Sequence, residues 1–162
     1  MSRNSFRILA LSAALAFSSG CRVRVPDVIP ALAPALADQP EPVPTGADFL
    51  QSVPSDRVLF EEDGFSLDAQ DRAVLDSQAA WLLRYPGVTV TIEGHSDERG
   101  TREHALALAN RRANAASAYL QSRGVPASRI SVLSWGKERP AASGSDESSW
   151  AQNRRAVTVI AQ

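Results

Sequence analysis

The densest group of chemically capable side chains falls in one short stretch, Glu93-Gly94-His95-Ser96-Asp97-Glu98-Arg99-Gly100. It holds a carboxylate, an imidazole, a hydroxyl and a guanidinium within a few residues. Two glycines bracket the polar run, as suits a tight loop where backbone must approach something closely. The outline Gly94-His95-Ser96-Asp97-Glu98 superficially resembles a nucleophile elbow, yet Glu98 stands where a second glycine is needed for the sharp turn that exposes the serine. His95 and His104 are too far apart in sequence for an HExxH-type pair, and the single cysteine, Cys21, gives neither histidine a thiolate partner. No pair of carboxylates is marked for glycoside cleavage. These observations argue against an enzyme, a cell-wall hydrolase included, and no cofactor or metal is expected. His95 is expected to order the loop by hydrogen bonding rather than to act as a base.

A second candidate lies in the segment that follows. From about Arg102 to Arg123 the sequence has helical periodicity, and at about 100° per residue Ala105, Leu108, Ala109, Ala116, Tyr119 and Leu120 form one apolar stripe. Arg112 falls inside that stripe, while its neighbour Arg111 falls outside it. A guanidinium on the packed side of a helix must find an acceptor, because an unpaired buried charge is costly. Arg112 is therefore either a cation placed for a ligand or half of an internal ion pair, with Asp97 a candidate partner.

The elements that must position these groups can be read around them. Asp56-Arg57-Val58-Leu59-Phe60 reads as a short strand. Asp68 can cap a helix in which Val74, Leu75, Trp81, Leu82 and Tyr85 recur at helical spacing, ending before Pro86-Gly87. Val88 to Ile92 alternates as a half-buried strand, and the Arg102–Arg123 helix stops at Gly124. Ile130 to Trp135 and Arg155 to Ile160 complete four strands. The order β-α-β-α-β-β predicts an α+β domain, a mixed four-stranded sheet with two main helices on one face. Asp97 then sits in a strand-to-helix loop, where ligands commonly bind, and Gly100 leads into a helix start that favours a nearby anion.

The run Gly94-His95-Ser96-Asp97-Glu98-Arg99-Gly100-Thr101, with Leu108 and Arg111-Arg112-Ala113-Asn114-Ala115, resembles the OmpA-like peptidoglycan-binding domain family. Within it the pattern is closest to the peptidoglycan-associated lipoproteins of the Tol–Pal system. Val58-Leu59-Phe60, Ser134-Trp135-Gly136-Lys137-Glu138-Arg139-Pro140 and Asn153-Arg154-Arg155-Ala156-Val157 extend the likeness over residues 55–162. The resemblance implies non-covalent binding of the diaminopimelate in the peptidoglycan stem peptide, Asp97 taking its ammonium and Arg112 its carboxylate. Phe60, Leu108, Arg154 and Arg155 match family positions near that site, with core packing or scaffold bonding as the alternative. It also implies TolB and other Tol components as partners in envelope integrity and cell division, against the alternative of a stand-alone anchor without Tol partners. Ala105, Asn110 and Trp135 depart from the family's usual asparagine, glutamate and tyrosine. None of these touches the Asp97–Arg112 pair.

The remainder of the chain reads as a means of attachment. Residues 1–20 have the layout of a secretory signal, with Arg3 and Arg7, a short apolar run from Ile8 to Phe17, and small residues before Cys21. Ser19-Gly20-Cys21 resembles a lipobox, although Ser18 stands where leucine is usual. An acylated Cys21 is expected to hold the protein to a membrane, and Arg22 in place of aspartate favours the outer one. Residues 21–54 hold seven of the ten prolines and read as a flexible tether, reaching roughly 100 Å if extended as polyproline II. A net charge of −1 over 162 residues gives no reason to expect nucleic acid.

Overall fold

The computed structural model describes residues 44–161. The signal segment, Cys21 and most of the proline-rich stretch lie outside the described residues. The elements in chain order are α1 (Gly46–Ser52), β1 (Arg57–Leu59), α2 (Ala69–Arg84), β2 (Thr89–His95), α3 (Arg102–Ser122), a 3-10 turn (Ala127–Arg129), β3 (Ile130–Gly136), α4 (Glu147–Asn153) and β4 (Arg155–Ala161). The strands form one sheet in the order β1-β4-β2-β3. β4 runs antiparallel to both β1 and β2, while β2 and β3 are parallel. The expected α+β architecture is present, with two short helices besides the two main ones.

The two main helices start and stop for local reasons. Asp68 accepts from the Asp71 amide while the Asp71 carboxylate accepts from the Asp68 amide, a reciprocal cap that opens α2. Thr101 caps α3 by accepting from the His104 amide, and Gly124, at φ +99°, takes the left-handed turn just past the helix end. Val58, Val90, Ile92 and Ala156 turn inward from the sheet toward Leu75, Leu82, Ala113 and Leu120 of the helices. Gln78 is wholly buried among them, but its amide donates to the Ser55 carbonyl and accepts from the Thr158 hydroxyl. That satisfied pair offsets the cost of burying an amide.

One contact decides how close the site's two carriers come. A Cβ on Gly94 would overlap the carbonyl oxygen of Ala109, so β2 and α3 meet backbone to backbone. Only glycine permits that approach. It brings the end of β2, and the loop after it, directly over the middle of α3.

The segment read as tether needs a correction at its C-terminal end. Residues 46–52 are helical, and Phe49 is 1 % exposed, packed edge-on against Trp81 at 5.0 Å between ring centres. Proline richness suggested that no helix could form there. Between Pro44 and Pro54, however, Thr45 and Asp48 make a reciprocal cap that starts one, and Phe49 anchors it. Among the described residues no helix is long and apolar enough to cross a membrane.

Candidate functional site

Three segments converge on an open pocket of about 200 Å³. The loop after β1 supplies Glu62 and Asp63, and the loop after β2 supplies Ser96, Asp97, Arg99 and Gly100. The first half of α3 supplies His104, Ala105, Leu108 and Arg112. The acid and the base singled out from the sequence therefore share one cavity.

Arg112 has the more constrained position. It is completely buried, as its place in the apolar stripe required, whereas Arg111 is exposed. Its acceptors are not carboxylates but three backbone carbonyls: Nε donates to Gly64 (2.8 Å), Nη1 to His95 (3.1 Å) and Nη2 to Glu61 (3.0 Å). The Phe60 ring lies 5.5 Å from the guanidinium carbon, a cation–π distance. Burial pushes the group down to about 10, opposed by the charge of Asp97, so it remains a cation at neutral pH. A guanidinium has five N–H groups. Three are engaged, so each terminal nitrogen retains one further N–H.

Asp97 is held from another direction. Its Oδ2 accepts from Arg99 Nη2 at 2.5 Å and its Oδ1 from the Arg99 amide at 3.1 Å. Arg154 Nη1 stands 3.6 Å away. Burial pushes the carboxyl up, but the two Arg99 hydrogen bonds and the charges of Arg99 and Arg154 outweigh it and hold Asp97 below its ordinary value. It is a carboxylate at neutral pH.

The remaining sequence candidates separate cleanly. Leu108 lines the pocket, and Phe60 touches it through Arg112. Arg154 donates to the Phe60 carbonyl and to Glu147, and it is the member of the arginine pair that reaches Asp97. Arg155 turns elsewhere, donating to the Arg139 and Asn153 carbonyls, and is not among the residues lining the pocket. The ring of His95 is buried, and burial with the charge of Arg155 pushes it down to about 4. Its carbonyl, rather than its ring, orders the site by accepting from Arg112. Ser96 Oγ is buried without a hydrogen-bond partner among the described residues, so no base is placed to activate it. Among the described residues no group of three or more potential metal ligands occurs.

Sequence reasoning missed the groups that brace the loop. Lys137, the one lysine of the chain, donates to the carbonyls of Glu98 (3.0 Å) and Gly100 (2.8 Å). Trp150 on α4 donates to Glu98, and the Arg99 guanidinium lies 4.3 Å over its ring. Glu62 accepts from Arg99 at 2.7 Å. Lys137 and Arg99 stood inside quoted motifs, but nothing in their spacing says what they contact. Trp150 carried no signal at all.

Residues 59–154 match the OmpA family, more than half of the chain. The chain belongs to the OmpA family. The peptidoglycan-associated lipoprotein of Rhizobium meliloti is 55 % identical over 113 residues, covering 70 % of this chain and 64 % of its own length. That of Agrobacterium fabrum is 53 % identical, with 70 % and 63 % covered. The chain thus spans somewhat less than two thirds of these relatives. The crystal structure of the peptidoglycan-associated lipoprotein from Burkholderia pseudomallei superposes with a TM-score of 0.66 at 39 % identity, covering 75 % of this chain and all of that one. The OmpA family is a binding family rather than an enzymatic one. The OmpA-family match begins at Leu59 and ends at Arg154, so it takes in the whole pocket.

Proposed function

We propose that this OmpA-family domain binds peptidoglycan non-covalently, through the ammonium and carboxylate carried together at one end of diaminopimelate. The observation that carries this reading is the placement of Asp97, an anion, and Arg112, a cation with two N–H groups free, on one open pocket. The names of the relatives, peptidoglycan-associated lipoproteins, support the same ligand. Asp97 receives the ammonium and Arg112 the carboxylate, while Leu108 and Ala105 give the methylene chain an apolar wall. Binding of this kind breaks no bond. The function that follows is mechanical: Cys21, acylated after removal of residues 1–20, holds the outer membrane, and the proline-rich stretch bridges to a periplasmic domain that grips the wall. TolB and the other Tol components are the partners proposed on the same likeness.

The test is co-sedimentation of the full-length protein with purified sacculi, comparing wild type with Asp97→Asn. The variant keeps the shape and removes the charge, which avoids the damage that truncating Arg112 would do to three carbonyls. Arg99 already pairs with Asp97, so the ligand's ammonium gains only the difference between two ion pairs, and retention should weaken by about two- to fivefold. Equal retention of the two proteins, with unchanged thermal unfolding, would reject the site.

A further inference from the structure

Asp97 is not a vacant anion in this structure. Oδ2 is taken by the Arg99 guanidinium and Oδ1 by the Arg99 amide. A ligand ammonium arriving at the carboxylate finds a cation already in place. We infer that Arg99 is an internal stand-in for the ligand's ammonium, which the ligand must displace from Asp97, and that this exchange sets the affinity of the site. The inference rests on the reading above, that the pocket takes an ammonium beside a carboxylate.

The geometry separates a removable cation from a fixed one. Arg99 lines the same pocket as Asp97 and Arg112, and its side chain is 31 % exposed against 11 % for Asp97. Arg112 is fully buried and tied to three carbonyls, so it cannot leave. Release does not strand the Arg99 guanidinium. It already donates to Glu62 at 2.7 Å and lies 4.3 Å over the Trp150 ring, and both contacts survive when Asp97 is given up. Nor does release disorient Asp97, because the bond from the Arg99 amide to Oδ1 belongs to the backbone and stays.

The exchange has a consequence for selectivity. A ligand that brings only an ammonium trades one solvent-touched ion pair for another, and such pairs differ little in free energy. A ligand that also brings a carboxylate gains the two free N–H groups of Arg112, which the exchange leaves untouched. Arg99 thereby makes a simple amine a poor ligand, and a group carrying both charges a good one.

The experiment is calorimetric titration of the full-length protein with the soluble tripeptide L-Ala-γ-D-Glu-meso-diaminopimelate, for wild type, Arg99→Met and Arg99→Lys. Methionine keeps an unbranched stem against Trp150 and removes the competing charge. Arg99→Met should bind about two- to fivefold tighter, the range for an ion pair open to solvent. Arg99→Lys, which restores a cation, should return affinity toward wild type. Binding by wild type with equal or weaker binding by Arg99→Met overturns the inference and leaves the ligand assignment standing. Absence of binding by both overturns the assignment and the inference with it. Misfolding cannot imitate a gain in affinity, so the sign of the change decides.

Discussion

His95 gives a pH dependence whose size and sign follow from its surroundings. The ring is 2 % exposed, and burial with the neighbouring positive charge of Arg155 pushes it from 6.5 to about 4. Above pH 6.5 the imidazole is neutral in both folded and unfolded chains, and the stability it permits is fully present. Between pH 6.5 and 4 the unfolded chain takes up a proton that the folded one refuses, so stability falls as pH falls. Below about 4 both forms are protonated and the loss levels off. At 1.36 kcal/mol per pH unit the full displacement gives a ceiling of about 3 kcal/mol, and relaxation of the surroundings about the charged ring brings the expected loss to about 2 kcal/mol. Urea unfolding of wild type and His95→Gln at matched pH values isolates this, because every other group is common to the two proteins and cancels in the difference. Wild type should lose about 2 kcal/mol more than the variant between pH 7 and pH 4. Parallel stability profiles would show that the ring is not held neutral by burial, and would refute the reasoning.

Two further changes test the parts that bring the site together. Gly94→Ala puts a methyl into the Ala109 carbonyl oxygen; overpacking at a rigid contact costs about 1–3 kcal/mol, to be read as a lower urea midpoint with binding lost in proportion to folding. Lys137→Met removes the ammonium that joins the Glu98 and Gly100 carbonyls. Because the group is partly exposed, stability should change by less than about 1 kcal/mol, while amide exchange at residues 97–100 quickens and stem-peptide binding weakens by about threefold.

Much of the architecture was readable from periodicity. α2 and α3 occupy the spans that their apolar spacing and caps predicted, and the four strands fall where alternation placed them, β2 running on to His95 rather than ending at Ile92. α1 and α4 escaped notice because seven-residue helices carry too few turns for a period to register. The Thr45–Asp48 cap was the available clue to α1, and the prolines on either side obscured it. At the site, the position of Arg112 on the packed face was legible from angle alone, but its acceptors were not. Sequence offers carboxylates as obvious partners, whereas the structure supplies carbonyls of Glu61, Gly64 and His95, which every residue possesses and no pattern advertises. The Arg99–Asp97 pair was hidden for a related reason: two residues apart in a loop, their meeting depends on a turn that spacing cannot specify.

The choice of carbonyls as acceptors bears on how the site recognises anything. Had Arg112 been neutralised by Asp97, the two charges would have been spent on each other, and a ligand would have had to break a buried ion pair to use either. Carbonyl dipoles hold a guanidinium in place and offset part of its desolvation without cancelling its charge. The same three bonds fasten the loop after β1 and the end of β2 to α3, so the cation's support is also what shapes the pocket. Around it the ionic chain runs Glu62, Arg99, Asp97, Arg154, Glu147, alternating in sign. An alternating chain has little net field at a distance and strong local fields at each position. It discriminates by where charges stand on a ligand rather than by how many it has, which suits the zwitterionic end of diaminopimelate proposed above as the ligand.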